Sequence, residues 1–381
     1  MPSVVKPPSL IVHGASSLGD PLTALHEALV VLGQALASYG ATPADVVTLT
    51  WTARQPAAIH PSRAVVDLAL RENFGGGRPP IALRSADHAG VKIEADVRPP
   101  SPPSDKPVWR DFTLAQLTRA YSPRATVQNM PAIFDTWRRD GTAFRDRHLT
   151  AELRYGAAAA ELIDLYLPAN PRGPLPLWIF IHGGYWQAVD KQHNAQFATG
   201  LLSAGYAVAM PNYTLAPEAS LAGIVEQTQR AITFLASEAP ALGCDPAELH
   251  LSGHSAGGHL AAMIASLPEG RLIRSCLPLS GLFDLEPLSH LSMGSLLDFN
   301  TPSRIATLSP ARLTPQPHVR VGVAVGGAES AEFQRQSTEF AQLWRDSPCR
   351  IIPGRNHFDL LDGLNGGALL RFALDIARLG P

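Results

Sequence analysis

The chain has 381 residues, more than one common domain needs, and its 45% hydrophobic and 17% charged side chains exclude a disordered chain and suit a large buried core. Thirty-one Lys/Arg against 33 Asp/Glu leave a formal net charge of −2, which implies no nucleic-acid or other polyanion partner. Cys244, Cys276 and Cys349 are too widely spaced for a disulfide framework or a metal pair, and no stretch approaches 18 apolar residues or a signal-peptide core; the expectation is a cytoplasmic protein with no membrane partner.

The first hundred residues read as α+β. Leu10-Ile11-Val12 predicts a short strand. Leu22, Leu25, Leu29, Leu32 and Leu36 recur at three- and four-residue steps, which predicts a helix with one apolar face stopped at Gly40. Val46 to Ala53 is β-rich, and Pro61 to Phe74 reads as a second helix. After Gly75-Gly76-Gly77, strands are predicted over Ile81 to Arg84 and Val91 to Val97, the last alternating strictly between apolar and charged residues.

This order, with Ala44-Asp45-Val46-Val47 and Val91-Lys92-Ile93-Glu94, resembles the Rid (YjgF-like) family across residues 10–97. The resemblance implies a small chorismate-mutase-like α+β domain, a trimeric homo-oligomer and, in active members, deamination of enamines and imines. The family's carboxylate-binding arginine falls at Pro79 here, with Arg78 beside it and Arg84 further on, a departure that bears on enamine chemistry. With eight Lys/Arg and eight Asp/Glu in residues 1–100, RNA cleavage finds no support.

Arg98-Pro99-Pro100-Ser101-Pro102-Pro103-Ser104-Asp105-Lys106-Pro107 favours extended polyproline geometry and can join neither a sheet nor a helix interior. It predicts a linker over 98–107 between a domain at 1–97 and one at 108–381. Within Val108 to His148, Trp109, Tyr121, Phe134, Trp137 and Phe144 suit core or lid packing better than ligand contacts.

Leu162 to Leu167 predicts the first strand of the larger domain. Leu177 to Ile181 is an unbroken apolar run, as expected of a strand covered on both faces, and it ends in His182-Gly183-Gly184-Tyr185-Trp186. Paired glycines there let backbone N–H groups of Gly183 and Gly184 face an oxyanion. Next, Glu248 to Ser252 delivers Gly253-His254-Ser255-Ala256-Gly257 into a helix-forming stretch from Ala256 to Ser266. A serine hydroxyl becomes a useful nucleophile on such a tight strand-to-helix turn, whose flanking glycines avoid collision. Ser255 is the candidate nucleophile, and the amide of Ala256 is the third oxyanion donor. His254 and His259 flank the turn as bracing residues.

Val319 to Val325 predicts another buried strand, followed by Glu329 as candidate acid, with Glu332 and Asp284 as alternatives. His357, on a loop between strand-like Cys349 to Ile352 and a final helix over roughly Gly366 to Ala377, stands where the order nucleophile, acid, histidine puts the general base. Tyr185 and Trp186 are candidate walls for an aromatic leaving group. With no His-Glu-x-x-His and no paired cysteines, neither a metal nor a cofactor is expected.

Together His182 to Trp186, Asn212-Tyr213-Thr214-Leu215-Ala216-Pro217-Glu218, Gly253 to Gly257, Ser280 to Leu285 and Glu332 to Ser337 resemble the arylformamidase (kynurenine formamidase) branch of the α/β-hydrolases. The resemblance covers about 270 residues and implies a mostly parallel sheet with a helical roof over the active site. It implies hydrolysis of an N-formyl group through Ser255, His357 and an acid at Glu329, where the family has aspartate. It leaves related small amides and esters open as substrates, with a carboxylesterase or carbamate hydrolase in nitrogen-compound catabolism as the alternative and a non-enzymatic trimeric scaffold as the third reading.

Overall fold

Seven strands of the larger unit run parallel and release their carboxyl ends along one edge of a sheet, and every candidate catalytic residue lies beyond one of those ends. The computed structural model describes residues 9–14, 46–53, 81–85, 91–97, 106–127, 130–344 and 347–378. The chain divides into two compact units, Met1–Asp105 and Lys106–Pro381.

In the first unit β1 (Ser9–Gly14), β2 (Val46–Ala53), β3 (Ile81–Ser85) and β4 (Val91–Val97) form a sheet ordered β1-β4-β2-β3. Strand β4 is antiparallel to both neighbours, and β2 and β3 are parallel. All four strands expected here form. The helices expected from Leu22 and from Pro61, the residues Arg78 and Pro79, and most of the proline-rich run lie outside the described residues.

In the second unit a small ribbon, β5 (Pro107–Trp109) with β6 (Phe112–Thr113), leads into the helix Leu114–Ala120. Thr113 starts that helix with a capping box: its hydroxyl accepts from the Gln116 amide while the Gln116 side chain takes the Thr113 amide. The helix Met130–His148 follows. The main sheet comprises β7 (Ala151–Arg154), β8 (Leu162–Tyr166), β9 (Leu175–Ile181), β10 (Ala207–Pro211), β11 (Cys244–His254), β12 (Ser275–Leu279), β13 (Arg320–Val321), β14 (Val323–Gly326) and β15 (Cys349–Ile352). Its order is β15-β14-β12-β11-β9-β10-β8-β7, with β13 beside β12. Only β7 and β8 run antiparallel to their neighbours.

Two expectations are corrected here. The first strand is not Leu162–Leu167 but β7, which pairs with β8 as a hairpin. The stretch Val319 to Val325 is two strands, not one. Gly322 lies between them; its amide donates to the Cys276 carbonyl at 3.0 Å, and a β-carbon there would stand 2.6 Å from Ile376 Cδ1.

Alternation along the strands builds a core on each face. Leu177, Ile179 and Ile181 of β9 join one apolar cluster with Leu251, Val323 and Val325, while Trp178 and Phe180 join the other with Leu277, Leu279 and Ala324. That explains why β9 reads as continuously apolar. Arg145, on the helix Met130–His148, pairs at 2.7 Å with the fully buried Asp164 of β8, and Lys191 pairs with the same carboxylate at 2.6 Å. Removing one partner of such a buried pair typically costs about 3–5 kcal/mol, so the helix is firmly tied to the sheet. Among the described residues no helix is long and apolar enough to cross a membrane.

Candidate active site

Strand β11 ends at His254, and the next residue, Ser255, has φ 56° and ψ −117° before the helix Ala256–Ser266 begins. A side chain in this region of backbone space is strained, and the surroundings hold it there. The Ser255 amide donates to the Leu279 carbonyl of β12 at 2.8 Å, and its carbonyl accepts from the His259 amide at 3.0 Å. The glycines decide whether the turn can form. A β-carbon on Gly257 would collide with the Ile181 and His182 carbonyl oxygens, and one on Gly253 with the Gly257 carbonyl. A β-carbon on Gly183 would stand 3.2 Å from that of Ser255, so the loop after β9 lies directly against the serine.

That loop carries three positive φ angles in succession: 91° at Gly184, 51° at Tyr185 and 59° at Trp186. It is pinned from beneath. Tyr213 donates to the carbonyls of His182 and Gly183 at 3.1 and 3.2 Å, and its ring stacks on His182 with centroids 4.3 Å apart. His182 Nδ1 lies 3.0 Å from the Gly183 carbonyl and Nε2 2.9 Å from Asn212 Oδ1, two acceptors between which a neutral ring has one N–H to donate. Burial pulls the His182 pKa down to about 4, so the ring is neutral near pH 7. Tyr213 and Asn212, which the sequence marks only through the family resemblance, hold the Gly183-Gly184 backbone, Tyr213 directly and Asn212 through His182. The Ala256 amide opens a helix and so lacks an intrahelical acceptor.

At the neighbouring edge of the sheet, His357 Nδ1 donates to Glu329 Oε2 at 2.6 Å. The other two carboxylates face elsewhere. Glu332 accepts from the Tyr121 hydroxyl and from Arg335 Nη2, each at 2.8 Å. Burial pushes its carboxyl up, but hydrogen bonds from Arg335 and Tyr121 outweigh that and leave it below its ordinary value. Asp284 receives the Arg312 guanidinium at 3.1 and 3.2 Å. Of the three candidates, Glu329 is the one brought to the histidine.

His254 bridges the elbow and the histidine loop. Its Nε2–H donates to the His357 carbonyl at 2.7 Å, and the two rings lie 4.6 Å apart. Burial, then the adjacent His357, holds its pKa well below the usual imidazole range. A neutral ring in this contact braces rather than shuttles protons. His259 likewise donates to the Leu308 carbonyl at 2.7 Å. Phe333 meets the His357 ring edge-on at 4.8 Å.

The aromatics of residues 109–144 pack as expected. Trp137 and Phe134 abut Phe358 at 6.0 and 5.9 Å, and Trp137 also faces His254. The Tyr185 hydroxyl donates to the Tyr121 carbonyl, and burial together with the Glu329 charge pushes its phenol upward. Tyr185 is partly buried beside the acid, whereas Trp186 is fully buried and edge-on to His259 at 5.0 Å. Ser255 and His357 are each 3% exposed and Glu329 7%, so all three side chains are buried. A surface groove of about 510 Å³ beside Arg230 and Glu269 includes none of these residues in its lining.

Residues 163–343 match the family model BD-FAE. Kynurenine formamidase of Salmo salar is 28% identical over 282 residues, covering 68% of this chain and 94% of that protein. A crystal structure of a candidate thioesterase from Silicibacter sp. TM1040 aligns with TM-score 0.62 and 33% identity, covering 68% of this chain and 99% of the other. A thermostable carboxylesterase from a metagenomic library aligns with TM-score 0.53 at 19% identity, covering 68% and 96%, a likeness of fold alone. Kinship along nearly the whole of a 33% identical relative, carried on a mostly parallel sheet in which residues 163–343 match the BD-FAE model, makes this chain a member of the α/β-hydrolase family.

Proposed function

We propose that the chain is a serine hydrolase that cleaves an aryl formamide of the N-formylkynurenine type, or a closely related small amide or ester, through an acyl-enzyme. The observation that carries this is the 2.6 Å contact from His357 Nδ1 to Glu329 Oε2, at the sheet edge where the strained Ser255 turn also lies. The Ser255 Oγ attacks the acyl carbon and gives its proton to His357 Nε2. Glu329 holds the tautomer that leaves Nε2 free to accept and stabilises the imidazolium that results. The oxyanion is met by the amides of Gly183, Gly184 and Ala256, each such donor being worth about a hundredfold to a thousandfold in rate. The C–N bond breaks, His357 protonates the departing aryl amine, and water then gives up a proton to His357 while its oxygen joins the acyl carbon. Formate leaves and Ser255 regains its hydrogen. Tyr185, beside the acid, is the proposed wall for the aromatic leaving group.

The formamide preference draws on the kynurenine formamidase relative, and the likeness to a candidate thioesterase favours an ester as the second reading. A panel of N-formylkynurenine beside 4-nitrophenyl acetate separates them. Preference for the ester by several orders of magnitude overturns the formamidase assignment. Labelling of Ser255 by a fluorophosphonate, lost in S255A, is the expected sign of a live nucleophile; an unlabelled protein would point instead to a scaffold with an inactive hydrolase unit.

For residues 10–97 the Rid-like reading is retained as a proposal, supported by the four-stranded sheet, as is a linker over the expected 98–107, shortened at its end because Pro107 pairs with Thr113 in the β5–β6 ribbon. A trimer by light scattering is expected of the full chain. The cysteines are free thiols, which suits a reducing cytoplasm.

A further inference from the structure

One hydroxyl in the acid corner has no part in the reaction just described. Ser280 follows the last residue of β12 with φ 48° and is fully buried. Its own amide donates to the Ala324 carbonyl at 2.8 Å, which fixes the backbone across two strands. Its Oγ donates to Glu329 Oε1 at 2.5 Å, and the Gly326 amide donates to the same oxygen at 2.7 Å. The other carboxylate oxygen takes the His357 ring.

A carboxylate turns about its last bond with little resistance and can offer either oxygen in a range of directions. Two donors on Oε1 stop that rotation and leave Oε2 aimed at Nδ1. Glutamate has one more rotatable bond than aspartate and so more freedom to lose before it can orient an imidazole. The positive φ of 48° at Ser280 strains a backbone that carries a side chain, a strain glycine would relieve. What glycine lacks is the hydroxyl.

We propose that Ser280 is a positioning residue that locks the Glu329 carboxylate so that a glutamate performs the acid's role toward His357. This rests on the serine-hydrolase reading of the site. The experiment compares full-length wild type, S280A, S280G, E329A and S280A/E329A by kcat and KM on 4-nitrophenyl acetate and by the second-order rate of fluorophosphonate labelling. S280A is expected to lower kcat and the labelling rate by about tenfold while KM stays within twofold, since only orientation of the base changes. S280G is expected to be equally slow yet at least as heat-stable as wild type, and it also covers the case in which S280A folds poorly. In the E329A background S280A is expected to change neither rate by more than twofold, because the hydroxyl acts only through the carboxylate. Equal slowing with and without Glu329 would mean that the serine is merely packing, and wild-type rates in S280G would remove its role altogether. If wild type itself neither turns over the ester nor takes the label, the hydrolase reading fails first and the positioning role falls with it.

Discussion

Two neighbouring parts of this site are held in place by opposite means. The turn at Ser255 depends on atoms that are missing: Gly253, Gly257 and Gly183 leave room for the Gly257, Ile181, His182 and His254 carbonyls at places where β-carbons would sit. The corner at His357 depends on atoms that are present: the Ser280 hydroxyl, the Gly326 amide and the Glu329 carboxylate form a chain of hydrogen bonds into the imidazole. Backbone carbonyls cannot yield without moving a strand, so damage at the turn is abrupt. A hydrogen-bonded side chain can be removed while its neighbours stay put, so damage at the corner is graded.

The sharpest break of that contrast is G257A. The added methyl would meet two backbone oxygens of the adjoining strand end, and a destabilisation beyond about 4 kcal/mol is expected, read as collapse of the urea midpoint together with loss of fluorophosphonate labelling. A folded, labelled G257A would show that the turn tolerates what the steric account forbids. On the other side, E329Q keeps the shape of the corner and is expected to fold normally, with kcat lower by about a thousandfold because the histidine loses its charge partner and preferred tautomer. A drop in thermal stability as large as that of G257A would erase the distinction between the two parts.

How far each part could be read from the sequence follows the same division. The signal of the turn is local: Gly253 and Gly257 flank Ser255 within five residues, although the Ile181 and His182 carbonyls that Gly257 clears belong to the distant end of β9. The helix Ala256–Ser266 and the carboxyl end of β9 at Ile181 formed where the sequence puts them. Glu329 could only be ranked above Glu332 and Asp284, because what separates them is 28 residues of chain and the positions of Arg335, Tyr121 and Arg312, which take the other two carboxylates. Ser280 carried no signal of its own, since neither a positive φ nor a hydrogen bond 49 residues distant leaves a pattern in one sequence. Strand β7 escaped because Ala-Glu-Leu-Arg at a half-buried sheet edge has no apolar run, and only its pairing with β8 defines it.

His254 belongs to the turn by sequence and to the corner by its hydrogen bond to the His357 carbonyl. H254A cuts that tie without altering either a glycine or the acid. The expected loss is about tenfold in kcat, with KM within twofold and Ser255 still labelled, since the histidine loop shifts by a fraction of an ångström. An effect as large as that of E329Q would mean that His254 takes part in proton transfer.

The gentlest test reaches both parts at once through pH. Burial holds His182, His250 and His259 near pKa 4 and His254 well below the usual imidazole range, against about 6.5 for an exposed ring. Between pH 6.5 and 4 the unfolded chain therefore takes up protons that the folded chain refuses, so the stability is whole above 6.5 and drains as the pH falls through that window. The carboxylates Glu161 and Glu332, held below their ordinary values, lose their contribution only at lower pH, so the upper part of the window belongs to the histidines. A urea midpoint that declines steadily from pH 7 to pH 5 is expected, with each ring supplying up to about 1.4 kcal/mol per pH unit. The decline should be shallower in H254A, where one such ring is gone. A flat midpoint across that range would mean that these rings titrate in the folded chain, and the bracing roles of His182 and His254 as neutral donors would fall with it.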